Sequence, residues 1–364
     1  MNQTRLSNLR AAMAASDTDL VAIGPGSHML YLLGYNPHGD ERPCLLLVSG
    51  GGAVMLMPQL NAASAREHTD VPFCEWADAE GPVEALRAAL ESIGADTAAS
   101  VVLDETMRAD FAFLVMDHLP QGCRRRFTED TLGALRARKD AEEYALLKAS
   151  ALINDAAFET AVAALKPGMS ELELGAIIEA HYAENGATVA FCIIGGAGNG
   201  AFPHHHTGHR PLQAGDAIVV DIGCIKDGYP SDMTRMMVLG DKPEGYDEVH
   251  AVVEAAVQAA LAAAKPGARA RDVDAAARGV IEAAGYGPNF LHRTGHGLGV
   301  DVHEPPYITS VNDTVLEEGM VFSIEPGIYL EGRFGVRLED IVILRADGPE
   351  ILSSLPRSLA RVPT

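Results

Sequence analysis

Apolar residues are grouped in two ways along the first third of the chain. Leu20 to Ile23, Cys44 to Val48, Ala53 to Met57 and Val101 to Leu103 are short continuous apolar runs of the kind that fill buried strands. Leu6 to Ala15 and Val83 to Ile93 instead follow a helical pattern. Strands alternating with helices predict an α/β unit. From Leu135 to Leu147 the sequence LRARKDAEEYALL is charged and then strongly helix-forming, and alanine-rich helices follow. This change in character puts a domain boundary near residue 134, dividing the chain into 1–134 and 135–364.

The second domain contains an internal echo. AALKPGMSELEL at 163–174 resembles AAAKPGARARDV at 262–273: each is a helix end, a Pro-Gly stop and a new helix. QAGDAIVVDIG at 213–223 matches EEGMVFSIEPG at 317–327, a glycine leading into an apolar strand that ends in a carboxylate two residues before another glycine. Two pairings in the same order predict a duplicated half. Asp221 and Glu325 are then equivalent residues at the ends of equivalent strands.

Asp227-Gly228 follows the Asp221 strand and is a preferred centre for a two-residue type I′ hairpin. With that loop, the numbers of paired residues sum to 455 and Asp232 faces Gly223. Asp221 then lies diagonal to Asp232, with Cα atoms roughly 7–8 Å apart. In the second half, Glu339 lies on the same face as Glu325 only if the turn at Glu331-Gly332-Arg333 has an odd number of residues or carries a bulge. Buried carboxylates at such separations repel, so either protons or cations must sit among them. Four carboxylates converging from two halves make a hard, oxygen-rich site suited to two divalent ions. His296, flanked by glycines in TGHGLG, would add a nitrogen ligand. His303 and one member of His204-His205-His206 are the remaining histidine candidates, whereas His205, His206 and His209 read equally well as residues of a solvated loop.

Composition narrows the classes further. The 364 residues carry 28 basic and 50 acidic side chains, a net charge of −22 that disfavours binding to nucleic acid. Five scattered cysteines, an odd number without a C-x-x-C pair, read as reduced thiols of a cytoplasmic protein. Neither a signal peptide nor a membrane-spanning apolar run is expected.

The ordered motifs VVDIG, SDMTR, TGHGLG, VHEPP, SIEPG and VRLED resemble those of the pita-bread metallopeptidases, in particular prolidases (Xaa-Pro dipeptidases) and aminopeptidases P. The resemblance covers nearly the whole chain. It implies a smaller creatinase-like α/β domain followed by a pita-bread catalytic domain with internal pseudo-twofold duplication. It also implies that Asp221, Asp232, His296, Glu325 and Glu339 bind two divalent ions, with Asp232 and Glu339 bridging. Manganese is the first expectation, with cobalt, zinc or iron as alternatives. A hydroxide shared by the ions would attack the carbonyl preceding proline. Glu325 would relay the proton, His204 and His303 would hold substrate or oxyanion, and Thr234 and Arg337 would orient carboxylates. The implied substrate is a proline-containing peptide and the implied assembly a homodimer.

One position departs from the family pattern. Prolidases often have an arginine four residues after the equivalent of His303, and here that place is Tyr307. Because a phenol cannot replace a bidentate cation for a dipeptide carboxylate, longer Xaa-Pro peptides are also expected as substrates. The competing readings are a pita-bread enzyme acting on a small solute, similar to ectoine hydrolases or dimethylsulfoniopropionate lyases, and an inactive binding member of the fold. Creatinases lack the metal set, and methionine aminopeptidases lack the extra domain and the HEPP segment.

Overall fold

The structure, a computed structural model, describes residues 2–364 and divides into two units, one ending at Arg136 and the other starting at Ala137. In the first unit the strands are β1 (Leu20–Ile23), β2 (Leu45–Ser49), β3 (Ala53–Pro58), β4 (Phe73–Trp76), β5 (Ser100–Leu103) and β6 (Arg124–Arg126). The helices are α1 (Gln3–Ala15), α2 (Ser27–Leu33), α3 (Gln59–Ala65), α4 (Val83–Ser92), α5 (Ala109–Met116) and α6 (Leu132–Ala137). The strands form one mixed sheet in the order β4-β3-β2-β1-β5-β6. Its core joins Leu20, Leu45, Leu47 and Leu56 to Leu86 and Leu90 of α4.

The charged segment around residue 138 does not run on as one helix. Asp140 accepts hydrogen bonds from the backbone N–H groups of Glu142 and Glu143, and the Glu143 carboxylate reaches back to the Asp140 N–H. This capping box starts α7 (Ala141–Ala164) afresh. The second unit continues with α8 (Glu171–Glu184), β7 (Thr188–Gly196), β8 (Ala217–Lys226), β9 (Tyr229–Pro230), β10 (Met233–Leu239), α9 (Tyr246–Ala263) and α10 (Ala270–Ala283). It ends with β11 (Gly295–Gly297), β12 (Glu304–Ile308), β13 (Val321–Ile324), β14 (Gly327–Leu330), β15 (Phe334–Arg337), β16 (Asp340–Arg345), β17 (Gly348–Ile351) and β18 (Ala360–Val362).

The echo in the sequence is an echo in space. One sheet runs β18-β10-β8-β7 and the other β12-β11-β13-β16-β17, with β8 and β13 antiparallel to their neighbours on both sides. After the first helix of each pair, the Gly168 N–H donates to the Leu212 carbonyl and the Gly267 N–H donates to the Leu316 carbonyl. Helices α7 and α8 pack on one sheet through Phe158, Leu174 and Ile178; α9 and α10 pack on the other through Val253, Val273 and Ile281. Strand β8 sends Ile218, Val220 and Ile222 into the first of these cores and Ala217 and Val219 into the second. Burial on both faces is why it reads as an unbroken apolar run.

Candidate metal centre

The two hairpins set the carboxylates. Asp227 and Gly228 have φ of 51° and 83°, the double left-handed conformation of a type I′ turn. The ladder that follows pairs Lys226 with Tyr229, Met233 with Ile222 and Thr234 with Asp221. This is the register expected from the sequence. It places Asp232 opposite Gly223, where an added Cβ would lie 2.4 Å from the Ser231 carbonyl oxygen. In the second half, Gly327 pairs with Arg337 and Leu330 with Phe334, leaving the three-residue loop Glu331-Gly332-Arg333, with Gly332 at φ 73°. The same register carries through to Ile324 and Asp340. Glu325 and Glu339 occupy the break between the two short ladders.

The halves are clasped at this point. The Arg235 guanidinium, 1% exposed, donates to Asp340 Oδ1 at 2.6 Å and to the Glu339 carbonyl, while the Glu339 N–H donates to the Thr234 carbonyl at 3.2 Å. His296 approaches on β11, between Gly295 and Gly297, both of which are crowded by backbone oxygens of neighbouring segments. Its Nδ1 lies 3.1 Å from the Gly297 carbonyl oxygen, which can only accept, so Nδ1 carries the proton and Nε2 keeps its lone pair. Nε2 lies 3.3 Å from Glu325 and 3.5 Å from Asp232. Burial, with the neighbouring His303 next in effect, lowers the pKa of His296 to about 3 and keeps it neutral.

Asp221, Asp232, His296, Glu325 and Glu339 thus come together. Ligand-capable atoms of Asp221, Asp232 and Glu339 lie within 4.8 Å of one another, as do those of His296, Glu325 and Glu339. Arg337 fills the gap at one side: Nη2 donates to Asp221 Oδ2, Nε to Thr234 Oγ1 at 3.0 Å, and Nη1 to the Tyr329 hydroxyl at 2.7 Å. Thr234 Oγ1 in turn donates to Glu339 Oε2 at 2.7 Å. A single fixed guanidinium among four carboxylates leaves a strong excess of negative charge. Burial first, and then the charges of Asp221 and Glu325, push the Asp232 pKa well up; burial and Asp232 do the same to Glu339. Glu325 is raised to about 7, by burial opposed in part by Arg337 and reinforced by Asp221. Asp221 Oδ1 is buried with no hydrogen-bond partner. An orphaned carboxylate oxygen, an unprotonated imidazole nitrogen and three destabilised carboxylates are together the donor set that divalent cations satisfy.

The centre lies at the base of a cleft of about 690 Å³, with Phe191, Ile193 and Val302 among its apolar lining. His204 and His303 are exposed to that cleft, and the His303 ring meets His296 edge-on at 4.0 Å. Burial and then the charge of Arg293 lower the pKa of His303. His205 turns elsewhere: its Nε2 lies 2.8 Å from the fully buried Glu171 carboxylate at the start of α8. His206 and His209 are exposed. Lys139 and Glu304 form a buried pair at 2.7 Å that ties down the segment after His303.

Two residues of the cluster were not anticipated from sequence. The Tyr329 hydroxyl is shared by Arg337 and by His292 Nε2, each at 2.7 Å. His292 stands four residues before His296, and Tyr329 two residues beyond the glycine of SIEPG, in the hairpin that aims Arg337. Those positions were the available signal.

Residues 145–346 match the model of metallopeptidase family M24, and residues 5–125 match that of the creatinase/prolidase N-terminal domain. The chain belongs to metallopeptidase family M24 and is a hydrolase with the two-domain, pita-bread architecture of its prolidase members. Among relatives, it is 40% identical over 363 residues to the probable dipeptidase PepE of Mycobacterium tuberculosis, covering 97% of this chain and 95% of that one. It is 32% identical over 357 residues to the Xaa-Pro dipeptidase of Pyrococcus furiosus, covering 98% and 99%. The crystal structure of dipeptidase PepE from Mycobacterium ulcerans superposes with a TM-score of 0.93 at 35% identity, covering 99% of this chain and 98% of that one. Among the described residues, no helix is long and apolar enough to cross a membrane.

Proposed function

We propose that this protein hydrolyses the peptide bond preceding proline in Xaa-Pro peptides, using two divalent ions held by Asp221, Asp232, His296, Glu325 and Glu339. The observation that carries this reading is the convergence of four carboxylates and a neutral imidazole at the base of one cleft, with Asp221 Oδ1 left unsatisfied. Asp232 and Glu339 each belong to two groups of ligand-capable side chains, which supports the reading that they would serve both ions. An oxygen-rich set with one imidazole suits Mn²⁺ first, with Co²⁺, Zn²⁺ and Fe²⁺ as further occupants. Such ions supply Lewis acidity and bring the pKa of water toward neutrality.

The protein's own groups do the rest. Arg337 and Thr234 hold Asp221 and Glu339 in fixed rotamers, so that the cluster is organised before substrate arrives. Glu325, backed by the Ser323 hydroxyl at 3.1 Å, passes a proton to the prolyl nitrogen as the bond breaks. His204 and His303, at the mouth of the cleft, donate to the oxygen of the carbonyl under attack. The apolar wall at Phe191, Ile193 and Val302 receives side chains that carry no charge. The five free thiols support a reducing, cytoplasmic setting. A homodimer belongs to the same reading and rests on the family resemblance.

The test is an Mn²⁺-supplemented assay that compares Xaa-Pro dipeptides, Xaa-Pro tripeptides and ectoine. Hydrolysis of prolyl peptides, abolished by a chelator and restored by Mn²⁺, is the expected result. Turnover of ectoine with no prolyl peptide cleaved would overturn the peptidase reading.

A further inference from the structure

The loop that carries His303 is closed over a buried ion pair. Residues 298–303 join β11 to β12, with Gly297 paired to Glu304, and bring Val302 and His303 to the cleft. Inside the loop the Gly299 N–H donates to the Asp301 carbonyl at 3.0 Å, and the Asp301 N–H donates to Glu304 Oε2 at 3.4 Å. The other oxygen of that carboxylate, Oε1, accepts from Lys139 Nζ at 2.7 Å. The lysine side chain is 0% exposed and the glutamate side chain 5%. A Cβ added at Gly299 would lie 2.3 Å from Glu304 Oε1 and 2.8 Å from Lys139 Cε, so the loop backbone rests directly on the pair.

Lys139 is itself fixed. It lies between α6 and the Asp140 cap of α7, its N–H donates to the Gly319 carbonyl at 2.8 Å, and Arg138 beside it bridges to Met320. Met320 leads into β13, which pairs with β11 and runs on to Glu325. The ammonium therefore stands on the sheet that holds the metal centre, and the His303 loop is tethered to it from 165 positions away in sequence. A buried ion pair is seldom a better stabiliser than apolar side chains of the same size. What it supplies is a fixed distance and direction, which apolar packing alone would not give the loop.

We propose that Lys139 and Glu304 are positioning residues for the reaction: through the loop they set the His303 ring at its distance from the metal centre. The inference rests on the peptidase reading above and adds to it two residues that do not line the cleft. Without the tether, His303 would reach the carbonyl under attack in only a fraction of encounters, and the loss would fall on the chemical step rather than on binding.

A single neutralising substitution would strand the other charge in the interior and destabilise the protein for reasons unrelated to His303. The test therefore uses the uncharged double variant Lys139→Met/Glu304→Gln in a cycle with His303→Ala, on Mn²⁺-loaded enzyme and Ala-Pro. In the double variant kcat should fall about 10–100-fold with KM changed less than about threefold. In the His303→Ala background the same two substitutions should cost less than about threefold, because the group they position is gone. Glu304→Asp keeps both charges and shortens the arm by one methylene, and should show the same split between kcat and KM in smaller measure. Hydrogen exchange of the metal-free protein gives a readout apart from activity: amides of residues 299–303 should exchange at least about tenfold faster in the double variant, with α7 unchanged. Unchanged kcat in both variants, equal losses with and without His303, or exchange that does not rise at 299–303 would overturn the positioning role and leave the peptidase reading standing. A wild-type enzyme inert toward prolyl peptides would end both.

Discussion

Arg337 reaches Asp221, Thr234 and Tyr329 at once, and Thr234 passes the constraint on to Glu339. A lysine keeps the charge but has no planar fork to span three partners. Arg337→Lys should therefore weaken divalent-ion affinity about 10–100-fold, read by titration against a metal indicator. Asp232 behaves differently, because burial and the charges of Asp221 and Glu325 oppose its ionisation. Asp232→Asn removes that strain along with a ligand: metal-dependent activity should fall at least about 1,000-fold while the metal-free protein melts no lower than wild type. Wild-type turnover in this variant would remove Asp232 from the centre. Asp221 and Glu325 were legible at the ends of apolar runs and His296 by its flanking glycines, whereas Asp232 and Glu339 followed from the registers of the two hairpins. His292 and Tyr329 were not legible, because their shared hydrogen bond joins residues 37 apart and becomes visible only when the hairpin at 331–333 folds back.

Strand and helix positions were legible where burial imposes a pattern. Strand β1 covers Leu20–Ile23 as its apolar run predicts, and α4 ends one residue before the predicted limit. Strand β6 was invisible because it consists of Arg124–Arg126 at the edge of its sheet, with no apolar residue to mark it. The domain change reads in the sequence at residue 134, whereas the structure divides after Arg136, since helix α6 runs on to Ala137 and the new helix waits for its cap at Asp140. Two glycines separate packing from propensity. At Gly295, in β11, an added Cβ would fall 1.9 Å from the Ser323 carbonyl oxygen, so the strand that carries His296 must shift. Gly295→Ala should cost about 2–4 kcal/mol and most of the activity. Gly279 sits in the exposed middle of α10, where a Cβ meets nothing within 4 Å. Gly279→Ala should stabilise by about 0.5–1 kcal/mol with activity unchanged, as measured by urea denaturation. Equal effects of the two substitutions would refute the distinction.

The chain as a whole carries a net charge of −22, and part of that burden is concentrated where Asp221, Asp232, Glu325 and Glu339 meet. Without cations, two sets of groups set the pH dependence of stability, with opposite signs. Asp232, Glu339 and Glu325 have folded pKa values raised by burial, Glu325 to about 7. Both states hold these protons below the ordinary carboxylate range. As pH rises the unfolded chain releases them first, and stability is lost until the folded values are passed. His292 and His296 are lowered to about 3 by burial, so their contribution is complete above about 6.5 and is lost as pH falls toward 3. Above the ordinary histidine pKa only the carboxylate trend remains. Metal-free protein should melt several degrees lower at pH 8 than at pH 6, because the histidines have stopped changing by pH 8 while the carboxylates ionise against one another. Saturating Mn²⁺ should reverse that decline, so the difference in Tm between loaded and chelated protein should widen steadily from pH 6 to pH 8. General surface repulsion acts on both forms and leaves that difference unchanged. Asp232→Asn, with one buried charge fewer, should narrow it. A loaded-minus-chelated difference that stays flat across this range would mean that the buried carboxylates are not what the ions neutralise.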